Sequence, residues 1–212
     1  NRSSAKTQSA MLEAMQERQT SIGGVVYPLP TPFMVLATQN PIEEEGTYVL
    51  PEAQMDRFLM KEVLTYPSPA DEADILERVA SGAFERRIKH PPISIRDVMW
   101  LQEAVNAVYV APVIRQYIVA LVGTTRGSGP RPVAGIERHV RVGASPRGAI
   151  ALMKVAQSIA LQDGRGYVTP DDVRLLRHPV LRHRLVLTYD ALADDVAPES
   201  IIDAVFQAVP TP

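Results

Sequence analysis

Cysteine is absent from the 212 residues, which excludes disulfides and thiolate metal sites and is compatible with a cytoplasmic setting. Long apolar runs are absent too. The longest, YIVALV at 117–122, is far too short to cross a bilayer, so no membrane insertion is expected. The opening residues, NRSSAKTQ, lack the apolar segment of a signal peptide. Neither sign of charge dominates: the net charge is −2, with 5 basic and 8 acidic side chains in residues 1–66 and 17 and 16 in residues 67–212. Neither part is basic enough to imply nucleic acid by charge alone. The histidines His90, His139, His178 and His183 are scattered, and Pro179 breaks the helical spacing between the last two, so no metal site is expected.

What is present is 46% hydrophobic content, enough for one ordinary domain or two small ones. SSAKTQSAMLEAMQER at 3–18 spaces Met11, Leu12 and Met15 as one face of a helix behind a serine cap. TSIGGVVYP then sets two β-branched runs around Gly23 and Gly24, the dipeptide of a tight hairpin turn. PFMVLAT at 32–38 reads as a central strand, and a second apolar run, FLMKEVLTYP, ends at Pro67. YPSPAD reads as a hinge, which divides the chain into residues 1–66 and 67–212. The second part is helical in pattern. PADEADILERVA, SIRDVMWLQEAVNAVYV and PVIRQYIVALVGTTR each carry apolar positions three and four apart. After the loop GSGPRPVAG come SPRGAIALMKVAQSIALQDG, capped by Ser145 and stopped by Gly164, and TPDDVRLLRH, with Thr169 and Asp172 at capping-box spacing. PESIIDAVFQAV is the last helix.

Three polar residues stand out. Asn40 closes VLATQN just before Pro41, where the simple reading is a turn residue. Arg57 lies between Asp56 and Phe58, and on local grounds it is half of a surface ion pair with Asp56. Arg147 sits in the first turn of a helix, where a cation opposes the dipole unless something negative is near. It is either a solvated surface residue or part of a phosphate site made jointly with the helix amides. Glu43, Glu44 and Glu45 read as a solvated loop. Arg126, Arg131, Arg138 and Arg141 lack the aromatic interleaving of a nucleic-acid surface and read as a solvated or intersubunit face.

KTQSAMLEAMQERQ, YPLPTPFMVLATQNPIEEEGTYVLPEAQMDRF and GASPRGAIALMKVAQSIALQDGRGYVTPDDV together resemble the MoxR family of AAA+ ATPases, in order and over essentially the whole chain. The resemblance implies the last strands of an α/β core, with a β-hairpin insertion, followed by an α-helical lid. It gives Asn40 the role of the first sensor of the γ-phosphate, Arg57 that of an arginine finger reaching a neighbouring subunit, and Arg147 that of the second sensor. The stretch 94–126 resembles the extra helix that displaces the lid. These residue types suit phosphoryl transfer, which needs positioning and charge neutralisation more than covalent help.

The family pattern is incomplete at the front. No G-x-x-x-x-G-K-[ST] phosphate loop occurs, and no apolar strand ends in Asp-Glu to hold magnesium. Asn1 and Arg2 resemble the residues just downstream of that acidic pair, so the chain is expected to begin there. The intact parent is expected to bind ATP and Mg2+ and to work as a homo-oligomer, a hexameric ring, in chaperone-like assembly or activation of a partner protein with a von Willebrand factor type A domain. The 212 residues alone are expected to hydrolyse no ATP. The rival readings are a nucleic-acid motor of the same superfamily and a non-enzymatic interaction module.

Overall fold

The computed structural model describes residues 5–40, 50–83 and 92–212. Asn1, Arg2, the serines ahead of the first helix, Glu43 to Glu45 and His90 lie outside them.

Helix α1, Ala5–Glu17, buries Leu12 and Ala14 and leads into the hairpin β1, Gln19–Ile22, and β2, Val25–Pro28. The register pairs Ile22 with Val25, so Gly23 and Gly24 form a two-residue turn with φ of 59° and 82°. Positive φ at both turn positions is the type I′ geometry that matches the right-handed twist of the two strands, and glycine reaches it without strain.

The expected central strand at 32–38 enters no ladder among the described residues, and Met34 and Leu36 are 76% and 85% exposed. An internal strand draws its stability from neighbours on both edges and layers on both faces. The ladders formed among the described residues join β1 to β2 and, in the second part, β3 (Val140–Val142) to β4 (Val186–Leu187). No strand among the described residues therefore forms a ladder with 32–38. The run at 58–67 likewise enters no ladder among them, with Leu64 and Tyr66 exposed. Between the two runs lies one turn of helix, α2, Glu52–Met55.

Beyond Pro67 most elements fall where capping chemistry places them. α3, Pro69–Ala80, starts at a capping box of Ser68 with Asp71, and α4, Ile95–Ala107, at one of Ser94 with Asp97. α5 spans Pro112–Thr124. The stretch 94–126 is thus two helices rather than one. Tyr109 interrupts it by exchanging backbone bonds with another segment, its N–H donating to the Gly166 carbonyl and its carbonyl accepting from the Val168 N–H. Short α6, Ile136–His139, precedes β3; long α7, Pro146–Gln162, follows it. α8, Pro170–Leu175, and α9, Arg177–Leu181, run into a 3-10 turn at Arg182–Arg184 and then β4. α10, Tyr189–Ala193, and α11, Pro198–Ala208, complete the bundle.

The second part is not wholly helical, since β3 and β4 pair across it. Its core is a single cluster in which Leu121 of α5, Leu152 of α7, Leu181 of α9 and Ile202 of α11 are fully buried. Each such side chain contributes roughly 1.5–3 kcal/mol relative to exposure. This core is the rigid base on which the polar residues below are mounted.

Candidate functional site

One face of α1 and the run 35–40 enclose an open cleft of about 620 Å³, lined also by Leu50 and Phe58. Met11, Leu12 and Met15, which helical spacing puts on one face, form its apolar wall. Asn40, Thr38, Thr7 and Gln8 form the polar rim. Asn40 is exposed, with its side chain in the cleft lining. Arg57 and Arg147 do not line this cleft.

Arg57 follows α2, and its Nη1 donates to the Oε1 of Gln16 on α1. Its Nε is buried and finds no acceptor in the structure. Gln39, beside Asn40, reaches the same small helix, its Nε2 lying 3.8 Å from the Met55 sulfur. The hairpin-side helix α1 and the end of the 35–40 run therefore both abut α2. The local expectation of an Arg57–Asp56 ion pair is not met. Asp56 turns the other way, and among the described residues the guanidinium rests on the neutral Gln16 amide.

Asp56 meets the helical part. Its Oδ1 lies 3.1 Å from Arg184 Nε, its Oδ2 accepts from Ser145 Oγ at 2.7 Å, and the same oxygen is 3.7 Å from Arg147 Nη1. Ser145 is the N-cap of α7, and its hydroxyl also accepts from the Arg147 N–H at 3.1 Å. One hydroxyl thus caps the helix and holds the carboxylate. The anion that makes a first-turn arginine tolerable is present within the chain. Arg147 nevertheless keeps 49% of its side chain exposed, against 2% for Arg184. At the other end of α2, Arg141 of β3 reaches both carboxylate oxygens of Glu52 at 3.3 Å.

Arg184 is saturated. Beyond Asp56 Oδ1, its Nη2 donates to the carbonyls of Phe58 at 2.6 Å and Asp56 at 3.3 Å, and its Nη1 to those of Leu59 at 3.2 Å and Val180. Burial pulls its guanidinium below its ordinary value, opposed by the Asp56 carboxylate. Next to it, His183 Nε2 donates to the Phe58 carbonyl at 3.1 Å, and its Nδ1 is buried without a partner. Burial first, then the Arg184 charge, pull the imidazole down to about 4. It is neutral at pH 7.

The histidine and arginine clusters are otherwise engaged in structure. His178 Nε2 lies 2.8 Å from Asp203 Oδ1, which also accepts from Arg177. His139 Nε2 is 3.1 Å from Asp194 Oδ2, beside Arg138. Arg126 donates to the Ala144 carbonyl. Among the described residues no group of three His, Asp or Glu side chains converges as a metal site. The structure puts Asn40 in the cleft lining and leaves Arg57 and Arg147, both part-exposed, outside it, so the three are not brought to one point. They offer magnesium no carboxylate set.

The sequence singled out Asn40, Arg57 and Arg147, gave Asp56, Arg141 and His183 other roles than the ones they hold here, and did not point to Ser145 as a partner or to Arg184. The signal for Arg184 was available: RHR sits inside the apolar frame PVL…LVL, where a long cation has nowhere to go but inward. Four of its five acceptors were not readable, because they lie 125 or more residues away in sequence.

Residues 1–60 match the ATPase family associated with various cellular activities (AAA), and residues 134–205 match the AAA lid domain. The chain is 48% identical over 212 residues to Chaperone MoxR1 of Mycobacterium tuberculosis, covering all of this chain and 55% of that protein. It is 30% identical over 232 residues to Protein MoxR of Methylorubrum extorquens, covering 64% of it. A crystal structure of a candidate ATPase from Cytophaga hutchinsonii superimposes with a TM-score of 0.91 at 39% identity, over all of this chain and 64% of that one. The chain therefore spans less than two thirds of these relatives.

Proposed function

The chain belongs to the MoxR family of AAA+ ATPases, and on that premise we propose that it forms the closing part of an ATP-hydrolysing, chaperone-type ring, with Asn40, Arg57 and Arg147 as its nucleotide-sensing residues. Residues 1–66 would belong to the ATPase core and residues 67–212 to the lid. The nucleotide supplies the phosphoryl group to be transferred. Asn40 orients the attacking water from the cleft rim through a neutral amide, which adds no negative charge beside phosphate. Arg57 reaches a neighbouring subunit, where its planar fork suits phosphate oxygens. Arg147 couples the lid to the nucleotide from the start of α7, where helix amides and guanidinium act together.

The observation that carries this reading is the state of Arg57. Among the described residues it is held by the neutral Gln16 amide, with its buried Nε–H unmatched, instead of by the adjacent Asp56 carboxylate. A guanidinium so held is pre-positioned and still able to bind an anion. The phosphate loop and the magnesium carboxylates are not in this sequence, so the 212 residues by themselves would not turn over ATP. The substrate of the whole ring would be a partner protein, one carrying a von Willebrand factor type A domain, handled in the cytoplasm. Engagement of Arg126, Arg138 and Arg141 inside the chain weighs against the nucleic-acid motor.

The test is complementation in the full-length protein. Arg57→Ala is expected to lower hydrolysis by roughly 10³ to 10⁵ while nucleotide binding persists. Mixing it with subunits mutated in the phosphate loop should restore part of the rate, because some interfaces then pair an intact pocket with an intact finger. Co-assembled mixtures no more active than the two mutants added together would remove Arg57 from the site.

A further inference from the structure

Among the described residues, the segment that carries Arg57 makes most of its hydrogen bonds to the lid. Four of the five acceptors of Arg184 belong to residues 56–59: the Asp56 carboxylate and the carbonyls of Asp56, Phe58 and Leu59. The grip continues along the backbone. The Lys61 N–H donates to the Pro179 carbonyl at 2.8 Å, the Lys61 carbonyl accepts from Arg182 Nη1 at 3.2 Å, and His183 holds the Phe58 carbonyl. Ahead of the finger, Arg141 of β3 holds Glu52, and Ser145 of α7 holds Asp56. Toward α1 and the cleft, the side-chain hydrogen bonds of this segment among the described residues are the Gln16 bond and the Met55 sulfur contact, and Phe58 lines the cleft.

We infer that Arg184 is a positioning residue for the Arg57 finger, fixing residues 56–59 to the lid so that the finger is carried by the lid of its own subunit as a single body. The inference rests on the reading of Arg57 given above and adds how that residue is aimed. A guanidinium has five N–H donors in a rigid fork, and here every one has an acceptor, so the plane of the fork dictates where Asp56, Phe58 and Leu59 can lie. Arg57 is the residue between two of those clamped carbonyls. Any lid rotation that follows the nucleotide through Arg147 then displaces the finger directed at the neighbour. The device ties the state of one site to the completeness of the next.

Lysine offers three donors from one point and cannot reproduce the fork, so Arg184→Lys keeps the charge and breaks the geometry. In the full-length protein, amide exchange in residues 56–61 should rise on the order of tenfold, while α7 residues 151–160, in the lid core, keep their protection. The rate constant for hydrolysis should fall on the order of tenfold to a hundredfold with nucleotide affinity unchanged, as expected of a misplaced group. Asp56→Asn, which removes the charge but little shape, should do the same more weakly. Adding Arg57→Ala to Arg184→Lys should then lower the rate no further than Arg57→Ala alone. Unchanged exchange at 56–61 in both variants overturns the proposal, as does an equal rise in α7, which would make Arg184 merely a support of the fold. Arg57→Ala run alongside separates the two readings. Full hydrolysis there removes the finger, and with it the positioning role, whatever exchange shows; loss of hydrolysis there with exchange unmoved in Arg184→Lys removes the positioning role alone.

Discussion

Asp56 and Arg184, 128 residues apart in the chain, form an ion pair with Oδ1 to Nε at 3.1 Å and almost no exposure on the arginine side. The other oxygen of that carboxylate faces Ser145 and Arg147. One side chain therefore separates a buried cation, which the fold needs, from a part-exposed one, which it does not.

That separation predicts opposite behaviour for the second arginine. Arg147→Ala should change the unfolding free energy of the chain by less than about 1 kcal/mol, because a half-exposed pair at 3.7 Å is screened by water. In the full-length protein the same substitution should impair nucleotide-dependent lid closure. Differential scanning calorimetry checks the first statement and distance measurement between labels on lid and core the second.

His183 makes the lid junction sensitive to acid. Its folded value of about 4 lies below the ordinary 6.5, so between those limits the unfolded chain binds a proton that the folded chain refuses. Stability is then fully present above pH 6.5 and declines as pH falls toward 4, by at most roughly 3 kcal/mol. The charges acting on it are Arg184 and Lys61, which oppose protonation, and Asp56, which favours it. Denaturant titrations from pH 7 to pH 4 should show the slope, and His183→Gln should flatten it above pH 5, where carboxylates contribute least.

Asp172 is 4% exposed and accepts from Arg165 Nη2 at 2.6 Å, Arg165 Nη1 at 2.8 Å and the Thr169 N–H at 2.7 Å. Burial raises its carboxyl, but the Arg165 and Thr169 donors outweigh burial and hold it below the usual range. Asp172→Ala removes a helix cap and one side of that pair. The expected loss is about 2 kcal/mol, less than for a fully buried pair because Arg165 still reaches water and Asp163. Thermal unfolding measures it.

Gly143 stands where β3 leaves for α7, and a Cβ there would lie 2.3 Å from the Thr125 carbonyl oxygen and 2.6 Å from its carbon. Backbone cannot give way as a flexible side chain can. Gly143→Ala should therefore destabilise the lid by roughly 1–3 kcal/mol or more, and urea midpoints should fall accordingly. Gly166→Ala, with nothing within 4 Å of the added atom, is the control expected to change little.

Local chemistry alone determined much of this protein. Ser68, Ser94, Ser145 and Thr169 start their helices as their side chains require, because a hydroxyl two or three residues ahead of a free N–H caps it whatever the rest of the chain does. Gly23 and Gly24 dictated the hairpin for the same reason: the turn needs φ values that other residues resist. Asn40, Arg57 and Arg147 were legible as residue types suited to phosphate. Tertiary structure decided what depends on distant partners. The run 32–38 has the composition of a strand, yet a strand exists only beside another, and none pairs with it among the described residues. The ladder of β3 with β4, the break at Tyr109 and the choice of Asp56 for Arg184 instead of Arg57 all join positions far apart in sequence. Charge and hydrogen-bonding capacity are properties of a residue; which acceptor satisfies them is settled only when the chain has folded around it.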